Sequence, residues 1–368
     1  MPVHEPGVAA RTRTALFARP TSLADRLGQG GDNVLLLRHI AAALVIVGHS
    51  YALSAHAGDA RDVLAMLLPG FYAGSVAVCA FFAISGCLIT HSWMRNPHLW
   101  RFVKARLLRI YPAYAVCLLL TVGIVGALFT SLPALEYFSH DRTRDYVMRN
   151  ADLAGLAYAL PGVFMGNRAP EIVNGSLWSL ALEVRTYLVL TVLAALGVLG
   201  KPRLFGALVL AYAGACAWDW IQAPPQHQDK GALTLLFMTT ALATTFARHA
   251  PLSTRVLVAL AALTWVLRGN PWFVAATMLT IGYFCLWFCW RLPPWKLPWR
   301  GDYSYGLFLY GFPVQQMLVA LYPVLDPVAL TACALPLTLL VAIASWRWVE
   351  QPLLGLKQSR SLSRTSIP

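Results

Sequence analysis

VLLLRHIAAALVIVGHSYALS, from Val34 to Ser54, is an apolar run of membrane length that carries two ionisable residues, Arg38 and His49. Eleven positions at about 100° each return a helix to nearly the same face, and at about 1.5 Å per residue they separate the side chains by about 16 Å, about half the hydrocarbon thickness of a bilayer. A cation is costly in lipid, so Arg38 is expected to line an interior path, and an imidazole at His49 can take or give a proton at depth. The plainer alternative is that Arg38 snorkels to the headgroups and His49 bonds a neighbouring helix.

Around this stretch the 368-residue chain is 58% hydrophobic and 12% charged, with a mean hydropathy of +0.59. Too little polar surface is present for a soluble globule of this size, so the expected class is all-α: a polytopic membrane helix bundle. Residues 1–33 hold Arg11, Arg13, Arg19 and Arg26 without an apolar core, which reads as a basic tail rather than a cleaved signal. The seven cysteines lie in apolar segments without metal-ligand spacing, which points to buried thiols and to no metal. The net charge of +13 is explained by topology, so no nucleic-acid partner is expected.

Ten stretches are long enough to be read as spans: 34–54, 71–93, 111–130, 177–199, 203–221, 231–247, 253–268, 272–290, 303–324 and 328–349. With the N-terminus inside, the inner segments collect Arg95, Arg101, Lys104, Arg106 and Arg109, then Arg291, Lys296 and Arg300, then Lys357, Arg360 and Arg364. Such an excess marks the cytoplasmic side, and both termini are expected there. The expected organisation is a tail over 1–33, a membrane domain over 34–352 and a second tail over 353–368. Residues 131–176 form an outer loop, in which Leu153 to Phe164 is expected to make a short interfacial or re-entrant helix.

Several constellations bear on chemistry. In NGSLWSLALEVRTYLVL, Ser179, Glu183 and Tyr187 recur at i, i+4, i+8 on one face. Glu183 shares the expected depth of His49, where a carboxylate would orient an imidazole; pairing with a buried cation is the structural alternative. In WRFVKARLLRIYPAY, Arg106 and Arg109 stand three apart, a two-pronged grip for phosphate or ordinary inner-side charge. FFAISGCLIT supplies Ser85 and Gly86, a pair suited to close helix approach. GDYSYGLFLYGFPVQQ supplies Ser304, Tyr305, Tyr310, Gln315 and Gln316, which suit the faces and hydroxyls of a sugar or an aromatic belt. Glu350 ends the last span in VEQP.

Together these stretches resemble the acyltransferase 3 family of integral membrane acyltransferases, which includes O-acetyltransferases of bacterial exopolysaccharides and O-antigens. The resemblance rests on the arginine, ten intervening residues and histidine of Arg38 and His49, with FFAISGCLIT, RLLR followed by IYP, LWSLALEVRTY, SYGLFLYGFPVQQ and VEQP in family order. It implies a ten-helix bundle in a bacterial inner membrane that takes an acyl group, most often acetyl, from cytoplasmic acyl-CoA and delivers it to a glycan hydroxyl outside. His49, Arg38 and Glu183 are then the expected catalytic residues. Arg106, Arg109 and Ser85 are the expected donor-binding residues, and Ser179, Tyr187, Tyr305, Tyr310 and Gln315 the expected acceptor-binding ones. The chain departs from the family pattern at Gly311, where many relatives have histidine, and at Thr186, commonly phenylalanine. No hydrolase-like domain follows the last span, so an exopolysaccharide or its lipid-linked repeat is the expected acceptor, with acetyl-CoA as the donor, no resident cofactor, and glycan-assembly machinery as a partner in the lipid bilayer.

The competing class is a transporter or flippase of lipid-linked sugar using the buried charges for proton coupling. A flippase acts without acyl-CoA and leaves no ester. A sensor or scaffold without chemistry would tolerate loss of His49.

Overall fold

The structure is a computed structural model that describes residues 21–27, 31–58, 60–223, 225–226, 229–299 and 301–355. Most of both expected tails, including Arg11, Arg13, Arg19, Lys357, Arg360 and Arg364, lies outside the described residues, as does Arg300.

The principal helices are α1 (Gly31–Leu53), α2 (Ala73–Arg95), α3 (Leu99–Leu120), α4 (Ala134–Ser139), α5 (Asp141–Asn150), α6 (Leu177–Ala195), α7 (Pro202–Gln222), α8 (Lys230–Thr245), α9 (Thr254–Val266), α10 (Phe273–Arg291), α11 (Ser304–Leu321) and α12 (Pro327–Ser345). The fold is an all-α membrane bundle. Among the described residues seven helices are long and apolar enough to cross a bilayer: α1, α2, α3, α6, α7, α10 and α12. Of the other expected spans, α8 has 16 residues, α9 has 13, and α11 has 18 with nearly every side chain enclosed. α3 runs on through a π-helical segment, Thr121–Gly126, into Ala127–Phe129, and α12 runs on through Trp346–Glu350 into Gln351–Gly355. Because α3 begins at Leu99, Arg106 and Arg109 stand two to three turns inside it rather than at its start.

Sequence punctuation explains several helix ends. Asp326 accepts from the N–H groups of Val328 and Ala329, and Pro327 fills the first turn of α12. Asp62 accepts from Leu64, Ala65 and, across the turn, Ala73 at the head of α2. α2 is apolar on every side and sits at the centre of the bundle. Glycines set the closest approaches. Gly86 faces the Phe237 carbonyl and Thr240 on α8, and a Cβ on Gly306 would lie 2.8 Å from Ala342 of α12.

Two expectations are corrected. Leu153 to Phe164 is not helical; the short helices of this loop are α4 and α5 instead. Leu153 and Phe164 have φ of 60° and 56°, and Gly162, after Pro161, has 69°. The segment pairs with the residues that follow it, Leu160 N–H to the Glu171 carbonyl at 3.0 Å and Val173 N–H to the Tyr158 carbonyl at 2.8 Å. Its apolar side chains fill a small core with Tyr137 and Tyr146. The leading tail is also partly docked, since Thr21–Ser22 (β1) pairs antiparallel with Pro251–Leu252 (β2) and Leu23 is fully buried.

Gly306→Val places branched carbons against the α12 backbone, and overpacking of this kind costs about 1–3 kcal/mol. The expected outcome is a melting temperature in detergent lowered by several degrees, measured by thermal shift, with the same change at exposed Gly214 leaving it unaltered.

Candidate functional site

α1 turns both Arg38 and His49 toward α11. The Arg38 Nε donates to Ser304 Oγ at 3.2 Å and lies 3.5 Å from Asp302 Oδ2. The same Asp302 oxygen accepts from Arg109 Nη2 at 2.6 Å, and Arg109 Nη1 reaches Glu350 Oε2 at 3.5 Å. Ser304 Oγ donates to Asp302 Oδ1 at 2.5 Å, and Ser345 Oγ donates to Glu350 Oε1 at 3.2 Å. Two arginines and two carboxylates thus neutralise one another where α1, α3, α11 and the end of α12 converge. Burial pushes the Asp302 carboxyl up, but Arg109, Arg38, Ser304 and His39 outweigh it and hold it below the ordinary carboxylate range.

The expected pair of phosphate-gripping arginines is therefore split. Arg109 is committed to two carboxylates, while Arg106 stacks over the Phe102 ring at 5.8 Å and its buried Nε has no hydrogen-bond partner among the described residues.

Glu183 does not meet His49. Its Oε1 accepts from Ser85 Oγ at 2.6 Å and from the Tyr187 hydroxyl, and Tyr187 also donates to Ser85 at 3.2 Å. The two do not share a depth: Glu183 lies on one cavity wall with Arg38 and Ser304, and its partner Ser85 stands about 16 Å along α2 from Gly74, which abuts Gly48 beside His49. His49 instead lies edge-on to Phe312 with ring centroids 5.1 Å apart, and its buried Nδ1 has no hydrogen-bond partner among the described residues. A cavity of about 30 Å³, room for one or two waters, is walled by Arg38, Ser179, Glu183, Ser304, Tyr305 and the rings of Phe81, Phe82 and Phe308. His49 is not on its wall.

The residues expected to read a sugar mostly join helices. The Tyr305 hydroxyl donates to the Ile110 carbonyl at 2.9 Å, and that of Tyr310 reaches Ala113 O and Ser345 Oγ, each at 3.5 Å. Gln315 Nε2 donates to Ile46 O and Ser50 Oγ, each at 2.7 Å. Gln316 fastens the loop through Ala169 O at 2.9 Å and Ile172 O at 2.6 Å. Ser179 donates to Ser176 O at 3.4 Å. Arg185, two residues past Glu183, donates to Ala154 O at 2.8 Å.

Asp302 was missed, and Glu350 was read only as a helix end. The available signal was an acid isolated among Lys296, Arg291 and Arg300, two residues before a serine that opens a helix.

An apolar bundle that encloses such an ionic cluster, with a buried histidine further along the same helix, defines a polytopic membrane protein with polar groups held inside it, as in membrane enzymes and transporters. The comparisons separate these. An acyltransferase domain matches residues 33–347, and the chain belongs to this acyltransferase 3 family. It is 27% identical over 343 residues to an O-acetyl transferase of Shigella phage Sf6, covering 85% of this chain and 93% of that protein. It is also 27% identical over 372 residues to Nodulation protein 10 of Rhizobium leguminosarum bv. viciae, covering 91% and 96%. No solved structure matches the chain. The protein is a membrane acyltransferase.

Asp302 gains its charge near pH 3.8 when unfolded and at lower pH when folded. A depressed carboxyl contributes stability that is complete above the unfolded value and is lost as the pH falls below it. The groups facing it are Arg109, Arg38, His39 and the more distant Glu350. Thermal melts in detergent at decreasing pH are expected to show a fall in melting temperature below about pH 4 that is smaller in Asp302→Asn.

Proposed function

We propose that the protein moves an acyl group, acetyl in the first instance, from acyl-CoA on the arginine-rich side of the membrane to a glycan hydroxyl on the other side, an exopolysaccharide or its lipid-linked repeat in a bacterial inner membrane. The observation that carries this reading is the unpartnered Nδ1 of His49, buried in the bundle of a family acyltransferase. The name of the phage relative, an O-acetyl transferase, supports oxygen as the accepting atom and acetyl as the group.

In this mechanism His49 takes the proton of the acceptor hydroxyl as its oxygen attacks the thioester carbonyl. The C–O bond forms, the C–S bond breaks and the thiolate of CoA leaves. Among the described residues no carboxylate is bonded to His49 to hold an imidazolium, so returning the proton to the departing thiolate leaves no charge stranded in the bundle. Arg106, which forms no ion pair among the described residues, is the cation that takes a CoA phosphate, while Arg109 holds the ion cluster. The pantetheine arm covers the distance of about 16 Å set by the rise from Arg38 to His49. It is wider than the cavity, so its entry would require the lining rings of Phe81, Phe82 and Phe308 to give way.

His49→Ala is expected to reduce acetyl transfer at least about 100-fold with the protein still folded in the membrane; unchanged acetyl content of the surface glycan by mass spectrometry would remove the reading. Arg106→Ala should raise the KM for acyl-CoA while sparing the melting temperature. Arg109→Ala should instead lower the melting temperature, because it strands Asp302 and Glu350.

A further inference from the structure

A guanidinium is a rigid plane with an Nε edge and two terminal nitrogens, so fixing the edge fixes where the other two donors point. For Arg38 the edge is taken, by Ser304 Oγ at 3.2 Å and Asp302 Oδ2 at 3.5 Å. Its terminal nitrogens make no hydrogen bond among the described residues, and Arg38 forms part of the cavity wall. Asp302 is itself immobilised from both sides, by Arg109 Nη2 at 2.6 Å and by the Ser304 hydroxyl at 2.5 Å and N–H at 3.3 Å.

Glu183 shares that cavity, its carboxylate fixed by Ser85 and Tyr187. A cationic fork and a carboxylate on the walls of one narrow space match a secondary amide, which offers a carbonyl oxygen to the first and an N–H to the second. The pantetheine arm of CoA contains two such amides.

We propose that Asp302 is a positioning residue for the donor: with Ser304 it grips Arg38 by the Nε edge, so that the terminal nitrogens meet a pantetheine carbonyl across from Glu183. This rests on the acyl-CoA reading above. Asp302 touches no substrate; it acts through Arg38, and Arg109 serves as its anchor.

The test measures binding of acetyl-CoA, and of adenosine 3′,5′-bisphosphate, which lacks the arm, to the purified full chain by calorimetry. Asp302→Asn is expected to weaken acetyl-CoA about tenfold or more while leaving the bisphosphate unchanged. Ser304→Ala, which keeps every charge, should weaken acetyl-CoA a few-fold at an unaltered melting temperature, so the inference stays testable if Asp302→Asn misfolds. Glu171→Gln removes the Arg142 pair at 2.8 Å in the loop and should change neither ligand. Unchanged acetyl-CoA binding in both site variants, or an equal loss for both ligands, overturns the positioning role. An unmodified protein that binds neither ligand overturns the acyl-CoA reading itself, and this inference with it.

Discussion

Charge inside a low-dielectric bundle has to be neutralised in place, and the Arg38, Asp302, Arg109 and Glu350 cluster meets that requirement where four helices meet. Each partner comes from a different part of the chain, so the cluster fixes how α1, α3, α11 and α12 sit relative to one another. The arginine side chains are 20% exposed, which leaves some solvent screening and makes alignment, rather than raw stability, the chief consequence. Small residues let the backbones come close enough for this, as at Gly306 against Ala342. Hydroxyl and amide side chains then fill the remaining needs, with Tyr305 tying α11 to α3 and Gln315 tying α11 to α1.

Apolar run length made the helices legible, because satisfying backbone groups in lipid leaves almost no alternative to helix. The fusion of Leu99–Phe129 into one rod was not legible: its first turns are basic and read as loop, though the helix simply continues past the apolar boundary. Apolar content also misled at Leu153 to Phe164, where the residues are inward because they pair with Glu171 and Val173, not because they coil. For the site, residue spacing gave the shared face of Arg38 and His49, a local property of one helix. It could not give partners 193 and 241 positions away from Arg109. It gave neither the depth nor the azimuth of Glu183, which lies level with Arg38 and is bonded to Ser85 rather than to His49.

α1 presents two unlike faces. The one bearing Arg38 and His49 packs on α11, while Leu37, Ile40, Ala41 and Leu44 line a second cavity of about 410 Å³ against α2, α9 and α10. That second space offers no free polar group, since its Thr280 hydroxyl already donates to Ala276 O at 2.8 Å. The two ionisable groups Arg38 and His49 thus lie on one side of the helix, and the other side is walled by apolar side chains.

On the face of α1 turned to α11, the ionic cluster at Arg38 and the buried ring of His49 are about 16 Å apart along the helix. A carboxylate against His49 would stabilise the imidazolium and make the ring a poorer donor to a leaving thiolate, whereas an aromatic edge and an unpartnered Nδ1 leave the proton free to return. Asp302 and Glu350 are bonded instead to Arg38 and Arg109. On the proposed mechanism, this layout would separate holding the donor from activating the acceptor and let the two substrates arrive from opposite ends of one bundle.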